Sequence, residues 1–172
     1  LIAVELQLMD EPNREGRLKL ALQPIRDSYD FIIIDCPPSL SLLTLNALAA
    51  ADGIIVPMQC EYFALEGLSS LINTINALKQ KLNPGLEIDG IVRTMYDVRN
   101  NLANAVSNEL TTHFGETVFR TLVPRNVRLA EAPSHGMSII RYDKGSRGAL
   151  AYLGLSGEVI QRMNKKSVEE KV

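Results

Sequence analysis

The sequence predicts an α/β fold, a parallel sheet with helices on both faces. Three observations predict it. Short apolar runs alternate with longer stretches whose apolar residues recur every three or four positions, the strand and helix patterns respectively. The connections between them are short, which suits right-handed strand–helix–strand units. Finally, Phe31-Ile32-Ile33-Ile34 carries no polar alternation, the mark of a strand covered on both faces. That run ends on Asp35, and Pro37 and Pro38 then forbid any continuation of a ladder.

The elements follow in order. Leu1 to Met9 is apolar and Glu11-Pro12-Asn13 breaks it. Arg14 to Asp27 reads as a helix with Leu18, Leu22 and Ile25 on one face. Ser28-Tyr29-Asp30 turns into the strand 31–35. Ser39 is a good N-cap for a helix over residues 39–51, apolar nearly all round and so expected to be deeply packed. Ile54 to Met58 is a second buried strand. Gln59-Cys60-Glu61-Tyr62 leaves it at the same edge as Asp35. A long helix over 63–82 places Leu65, Leu68, Ile72, Ile75 and Leu78 on one face, and Asn83-Pro84-Gly85 stops it. Ile88 to Met95 is a third strand, and Tyr96 to Asn100 loops at the same edge. A helix over 101–113 carries Leu102, Val106 and Leu110 on one stripe. A short strand lies near Thr117–Phe119, Thr121 to Gly136 reads as irregular, and Ser138–Tyr142 reads as a last short strand. Ser146 caps a final helix to about Lys165, and the tail 165–172 is polar. Residues 1–164 are expected to belong to one domain.

In open α/β sheets ligands bind at the carboxyl ends of the strands, and Asp35 stands at such an end. A lone acid there suits a Mg²⁺ that keeps most of its waters. It equally suits a plain solvated strand end, and position alone does not separate the two.

Charge is unevenly spread. Residues 1–92 hold 6 Lys+Arg against 12 Asp+Glu, whereas residues 93–147 hold 8 against 5, seven of the eight being Arg. The Arg-rich half is compatible with a phosphate-binding face or with a merely solvated one. Cys36 and Cys60 form no CxxC pair and have no His at ligand spacing, so they read as small buried hydrophobes rather than a zinc site. No apolar run is long enough to span a bilayer, and no signal peptide is recognisable, which fits a cytoplasmic setting.

Several chemistries are poorly supported. GxGxxG after a strand is absent, against a dinucleotide oxidoreductase. His113 and His135, the two histidines, have no nucleophile at a partnering position. A phospho-receiver domain would need further acids and a Lys at other strand ends.

Four motifs instead resemble one family. Asp30 to Pro38 resembles the Walker B segment of the ParA/MinD group of deviant P-loop ATPases. Gln59 to Gly67, Thr94 to Asp97, and Val123 to Ser134 (Val-Pro-Arg-Asn-Val-Arg-Leu-Ala-Glu-Ala-Pro-Ser) look like its ParA branch, which segregates chromosomes and plasmids. The resemblance covers about residues 4–160 and implies a P-loop NTPase-like, three-layer α/β/α fold with ATP and Mg²⁺ as ligands. Asp35 would hold Mg²⁺ through water. Thr94, Met95, Pro124, Arg125 and Asn126 would border the adenine. Glu61 and Tyr62 would lie near the face where two ATP-bound protomers meet. Arg99 and Arg128 would contact DNA without sequence preference, with Arg120, Arg141, Lys144 and Arg147 as possible additions. The implied partners are a second copy in a homodimer, non-specific DNA and a ParB-type centromere-binding protein, on the nucleoid rather than a membrane.

One departure stands out. No GxxxxGK[ST], and no deviant form of it, occurs in these 172 residues. That loop cradles the phosphates, and in the family it opens the chain on the central strand. With the Met-less start at Leu1, this reads as the carboxyl-terminal two-thirds of such an ATPase, with strand 31–35 left short of a neighbour and its apolar faces uncovered. Two alternatives remain: a non-catalytic interaction module without a P-loop, and a MinD-like division-site ATPase. The second needs a carboxyl-terminal amphipathic helix, and Asn164 to Val172 offers only Val168 and Val172 as apolar residues.

Overall fold

The computed structural model describes residues 2–37 and 39–169; Leu1, Pro38 and the last three residues of the predicted polar tail lie outside them. The chain divides into two compact units, Leu1–Ile54 with Leu71–Glu87, and Ile55–Ser70 with Ile88–Val172.

The first unit is helical. It contains α1 (Ile2–Met9), α2 (Arg17–Leu22), α3 (Leu42–Ala50) and the second half of α4 (Ala64–Lys81). The helix expected over 14–27 is broken into 3-10 turns at Arg14–Gly16 and Gln23–Ser28 around α2. Pro24 explains the second break, since it has no N–H to continue the α-helical ladder. Asn46 of α3 is 3% exposed and fully used. Its Oδ1 accepts the Leu18 N–H at 3.0 Å, and its Nδ2 donates to Arg14 O at 2.7 Å and Leu42 O at 2.9 Å. A buried amide satisfied on both ends fixes α2 against α3 better than apolar contact alone. The α3 start also differs from expectation. Ser39 does not cap it; the Glu5 carboxylate accepts the Leu42 N–H at 3.0 Å, a negative group at the positive end of the helix dipole. At the other end Asn83 Nδ2 donates to Leu48 O and Ala51 O, closing the last carbonyls of α3.

The strand expected at 31–35 is not formed. Residues 31–37 are without regular secondary structure, and Phe31, Ile32 and Ile33 are 50%, 38% and 92% exposed. A strand dry on both faces needs ladder partners and covering layers, and among the described residues no strand pairs with this one. Cys36 is accordingly exposed rather than buried.

The second unit carries the three-stranded parallel sheet, β1 (Gly53–Gln59), β2 (Glu87–Tyr96) and β3 (Val118–Pro124), in the order β1-β2-β3. It also carries α5 (Asn101–Phe114), α6 (Val127–Glu131), α7 (Ile139–Tyr142) and α8 (Arg147–Glu169). Val92, Phe119 and Val123 form a core against Leu155 and Val159 of α8. Arg93, the next residue of β2, points to the opposite face and donates from Nη1 to Ser107 Oγ of α5 at 2.8 Å. Helices therefore cover both faces of the sheet, as the sequence predicts. β1 is buried on one face only: Val56 and Met58 are buried and Ile55 and Pro57 exposed, as befits an edge strand that tolerates proline. On α5 the buried stripe is Ala103, Val106 and Leu110, while Leu102 is 46% exposed, one position away from the predicted face.

Residues 121–136 are more ordered than predicted. β3 runs on to Pro124, α6 and a 3-10 turn Ala132–His135 follow, and Ala132, Ile139 and Ala149 form a second small core with Leu129 and Tyr142. A Cβ on Gly148 would stand 2.5 Å from Leu129 Cγ, so the glycine is what lets α8 approach α6. The strand predicted at 138–142 is instead a helical turn, because Ser138 O accepts the Arg141 and Tyr142 N–H groups and Ile139 is buried. Ser146 caps α8 as predicted, its Oγ accepting the Ala149 N–H at 3.1 Å.

One cluster ties α8 to β2 and to the register-shifted stretch of β3. Glu158 of α8 accepts the Arg120 and Thr121 N–H groups at 2.8 and 3.0 Å. Arg162, one turn on, donates to Asp89 O, Thr117 O and Val118 O and to Glu158, and lies 4.0 Å over the Phe119 ring. The Phe119 ring itself fills the space above Gly90, where a Cβ would come within 2.2 Å of it. We predict that Gly90→Ala lowers stability by about 1–3 kcal/mol through overpacking. Urea unfolding would show it as a lower midpoint at unchanged slope; an unmoved midpoint would mean that the ring swings aside freely.

Candidate functional site

At the carboxyl ends of β1, β2 and β3 the second unit holds a cleft of about 120 Å³. Cys60 and Glu61 reach it from β1, Met95, Tyr96 and Asp97 from β2, and Arg125 from β3. The backbone that shapes it is unusual at one point. The β2–β3 register pairs Ile91 with Val118, Arg93 with Leu122 and Tyr96 with Pro124, shifting twice. At the second shift Met95 has φ of 52°, a left-handed conformation rare for a non-glycine residue. Such strain costs about 1–3 kcal/mol and collects where a bulge re-aims a side chain beside a functional site. Beyond β3 the Arg125 N–H donates to Tyr96 O at 3.0 Å, which carries the pairing into the loop.

The turn 96–100 is tied on several sides. Tyr96 Oη donates to Asn104 Oδ1 at 2.6 Å, and Asn104 Nδ2 donates to Val98 O at 2.9 Å. Asn100 caps α5, its Oδ1 accepting the Leu102 and Ala103 N–H groups. Within this turn Asp97 accepts from the Arg99 backbone, Nε and Nη2 at 3.0, 2.9 and 2.7 Å. The Arg99 hydrogen bonds, side chain first and then backbone, hold the Asp97 carboxyl at about 2, against an ordinary 3.8, and the Arg125 charge adds to this. Burial pushes the Cys60 thiol up, with Arg93 opposing, so Cys60 is a poor nucleophile at neutral pH.

The predicted residues divide accordingly. Glu61, Met95 and Arg125 meet in the cleft. Thr94 and Pro124 stand at the strand ends beside it. Asn126 caps α6, its Oδ1 accepting the Leu129 N–H at 3.3 Å, so that oxygen is committed to the helix. Tyr62 and Phe63 are exposed and meet edge to face at 4.9 Å. Arg99 and Arg128 are both solvent-facing and both paired, Arg128 with Glu131 at 2.9 Å and Asp143 at 3.4 Å. Asp35 belongs to the first unit, exposed at the end of the unpaired apolar run. One carboxylate fits a Mg²⁺ held mainly by water, and among the described residues no group of three or more His, Cys, Asp or Glu offers an all-protein cage. The cleft is smaller than the roughly 300–1,000 Å³ of a whole-ligand pocket. Sequence reasoning did not single out Asp97, Asn100 or Asn104. Asn100 was legible as an N-cap before the α5 pattern; the other two gain their roles only from the fold.

A family model described as an AAA domain matches residues 1–88, half of the chain. The chromosome partitioning protein ParA of Myxococcus xanthus is 53% identical over 172 residues, 100% of this chain and 61% of that protein. The chain belongs to this ParA-type ATPase family. The sporulation initiation inhibitor protein Soj of Bacillus subtilis is 53% identical over 159 residues, 92% of this chain and 63% of that one. The chain thus spans less than two thirds of either relative. Among solved structures, cobyrinic acid a,c-diamide synthase from Mycobacterium smegmatis superposes with a TM-score of 0.70 at 35% identity, covering 88% of this chain and 55% of that one. That enzyme has also been solved with a bound ATP analog and magnesium. The parallel sheet with helices on both faces fits the three-layer α/β/α fold predicted from the motifs, and this similarity to a solved structure agrees with it.

The Asp97–Arg99 pair has a measurable signature. A depressed carboxyl pKa contributes stability that is present above the ordinary value and lost as pH falls from about 3.8 to about 2. We predict that the Asp97 side-chain carbon titrates by NMR with a midpoint of about 2, and that Arg99→Ala moves the midpoint up toward 3.8. A midpoint already near 3.8 in the unaltered chain would mean that the pair does not form in solution.

Proposed function

We propose that this chain supplies the base-binding and magnesium side of the ATP site of a DNA-partitioning ATPase. The observation that carries the reading is the cleft where the carboxyl ends of three parallel strands bring Glu61, Met95 and Arg125 together. It receives an adenine ring bordered by Thr94, Met95, Pro124, Arg125 and Asn126, and the strained Met95 backbone is the kind of feature binding sites retain. Asp35 is the residue to hold Mg²⁺ through water. The phosphate cradle must come from residues outside these 172, which contain no GxxxxGK[ST]. Residues 1–164 then form part of a single ATPase domain. Its ATP-bound form pairs two protomers across a face near Glu61 and Tyr62, and binds DNA without sequence preference through Arg99 and Arg128. A ParB-type centromere-binding protein is the partner, in the cytoplasm on the nucleoid. Among the described residues no helix is long and apolar enough to cross a membrane.

Two experiments test this. With Mg²⁺ and ATP, the 172-residue chain releases no phosphate above background; measurable turnover would show that the reaction does not need the cradle. For DNA, Arg128→Ala in the complete ATP-bound protein weakens binding to duplexes of any sequence and flattens the log–log salt dependence by about 0.9, one phosphate contact. An unchanged salt slope removes Arg128 from the DNA face.

A further inference from the structure

Arg99 is offered above to DNA phosphates, yet the chain already supplies it with an anion. Asp97 Oδ1 accepts from Arg99 Nε at 2.9 Å and Oδ2 from Nη2 at 2.7 Å, the paired fork that a phosphate makes with the same guanidinium edge. A third bond, from the Arg99 N–H to Oδ1 at 3.0 Å, folds the backbone around the carboxylate. The partners differ in freedom. The Arg99 side chain is 86% exposed, whereas that of Asp97 is 30% exposed and sits in a turn held through Tyr96, Asn100 and Asn104. Arg125 faces Asp97 as a second cation. The carboxylate is therefore the fixed member and the arginine the one that leaves. An exposed ion pair opens at small cost, so the arrangement competes with phosphate and does not exclude it.

We infer that Asp97 is a positioning residue that occupies the Nε–Nη2 edge of Arg99, competes with phosphate for it, and sets the affinity of this face for a phosphate backbone. The inference rests on the DNA reading of Arg99. Because Asp97 also lines the cleft, the competition is reciprocal: a phosphate that takes Arg99 leaves an unpaired carboxylate beside Arg125, and any cleft ligand that draws on Asp97 releases Arg99. Arg128 meets carboxylates too, but Glu131 also accepts from Tyr142, so Asp97 is the cleaner case.

Asp97→Asn, made in the complete ATPase that includes the phosphate cradle and studied with ATP, removes the charge and keeps one oxygen acceptor. By fluorescence anisotropy it binds mixed-sequence duplex DNA about two- to fivefold more tightly than the unaltered chain, and the gain disappears in Asp97→Asn/Arg99→Ala. Glu109→Gln, the same charge change on the exposed side of α5, gives no such gain. A second measurement does not depend on DNA: inorganic phosphate shifts the Arg99 Nε–H resonance at lower concentration in Asp97→Asn than in the unaltered chain. If neither protein binds duplex DNA while the phosphate responses differ, the DNA reading falls and the competition stands. Equal phosphate responses overturn the inference. So does weaker DNA binding by Asp97→Asn, which would mean that Asp97 presents Arg99 to the backbone rather than withholding it.

Discussion

The second unit depends on two side chains one turn apart on α8. Glu158 and Arg162 treat the end of β3 as a ligand, the carboxylate taking two N–H groups and the guanidinium taking carbonyls from both β2 and β3. Burial alone would raise the Glu158 carboxyl. The Arg120 and Thr121 hydrogen bonds and Arg162 outweigh that and hold it below its ordinary value. Its contribution is thus present above the usual carboxylate pKa and lost as pH falls below it. Two consequences follow from the one cluster. The N–H groups of the irregular stretch of β3, between the Ile91–Val118 and Arg93–Leu122 pairs, find their acceptors on α8. The Phe119 ring is also pinned between Arg162 and Gly90, which fixes β3 on β2 and with it the strand ends that form the cleft.

The elements legible in the sequence were those whose signal is local. The α4 stripe is read correctly because a 3.6-residue period survives any tertiary context: Leu68 and Ile75 are buried at 3% each. The strands at 54–58 and 88–95 were legible from their short apolar runs, and the cap at Ser146 from its residue type. The misread stretches depend on something distant. Phe31 to Ile34 has every local mark of an inner strand and remains unpaired, since a strand is a property of its neighbours. Residues 121–136 look irregular because Pro, Arg and Asn are common there, and are ordered by Leu129 meeting a glycine nineteen positions later. At the site, the loops were identifiable from their motifs, whereas the left-handed Met95 and the Asp97 carboxylate were not. A register shift between two strands has no signature in either one.

Charge shows the same limit and narrows what the site can be. The excess of base over acid in residues 93–147 invites the picture of a uniformly positive face. In the fold Arg93 is directed inward, to Ser107 Oγ and Phe119 O. Arg99 is matched by Asp97, and Arg128 by Glu131 and Asp143. Three of the seven arginines in that stretch are therefore spent on the chain's own acceptors. A surface so arranged holds its cations in place at little cost, because exposed pairs are weak, yet shows a smaller net field to a distant polyanion than its composition implies. Contact with phosphate then means exchanging one anion for another at fixed positions. Such exchange favours short-range, geometry-dependent binding over long-range attraction, and it makes the acids in these loops as important to the affinity as the arginines they hold.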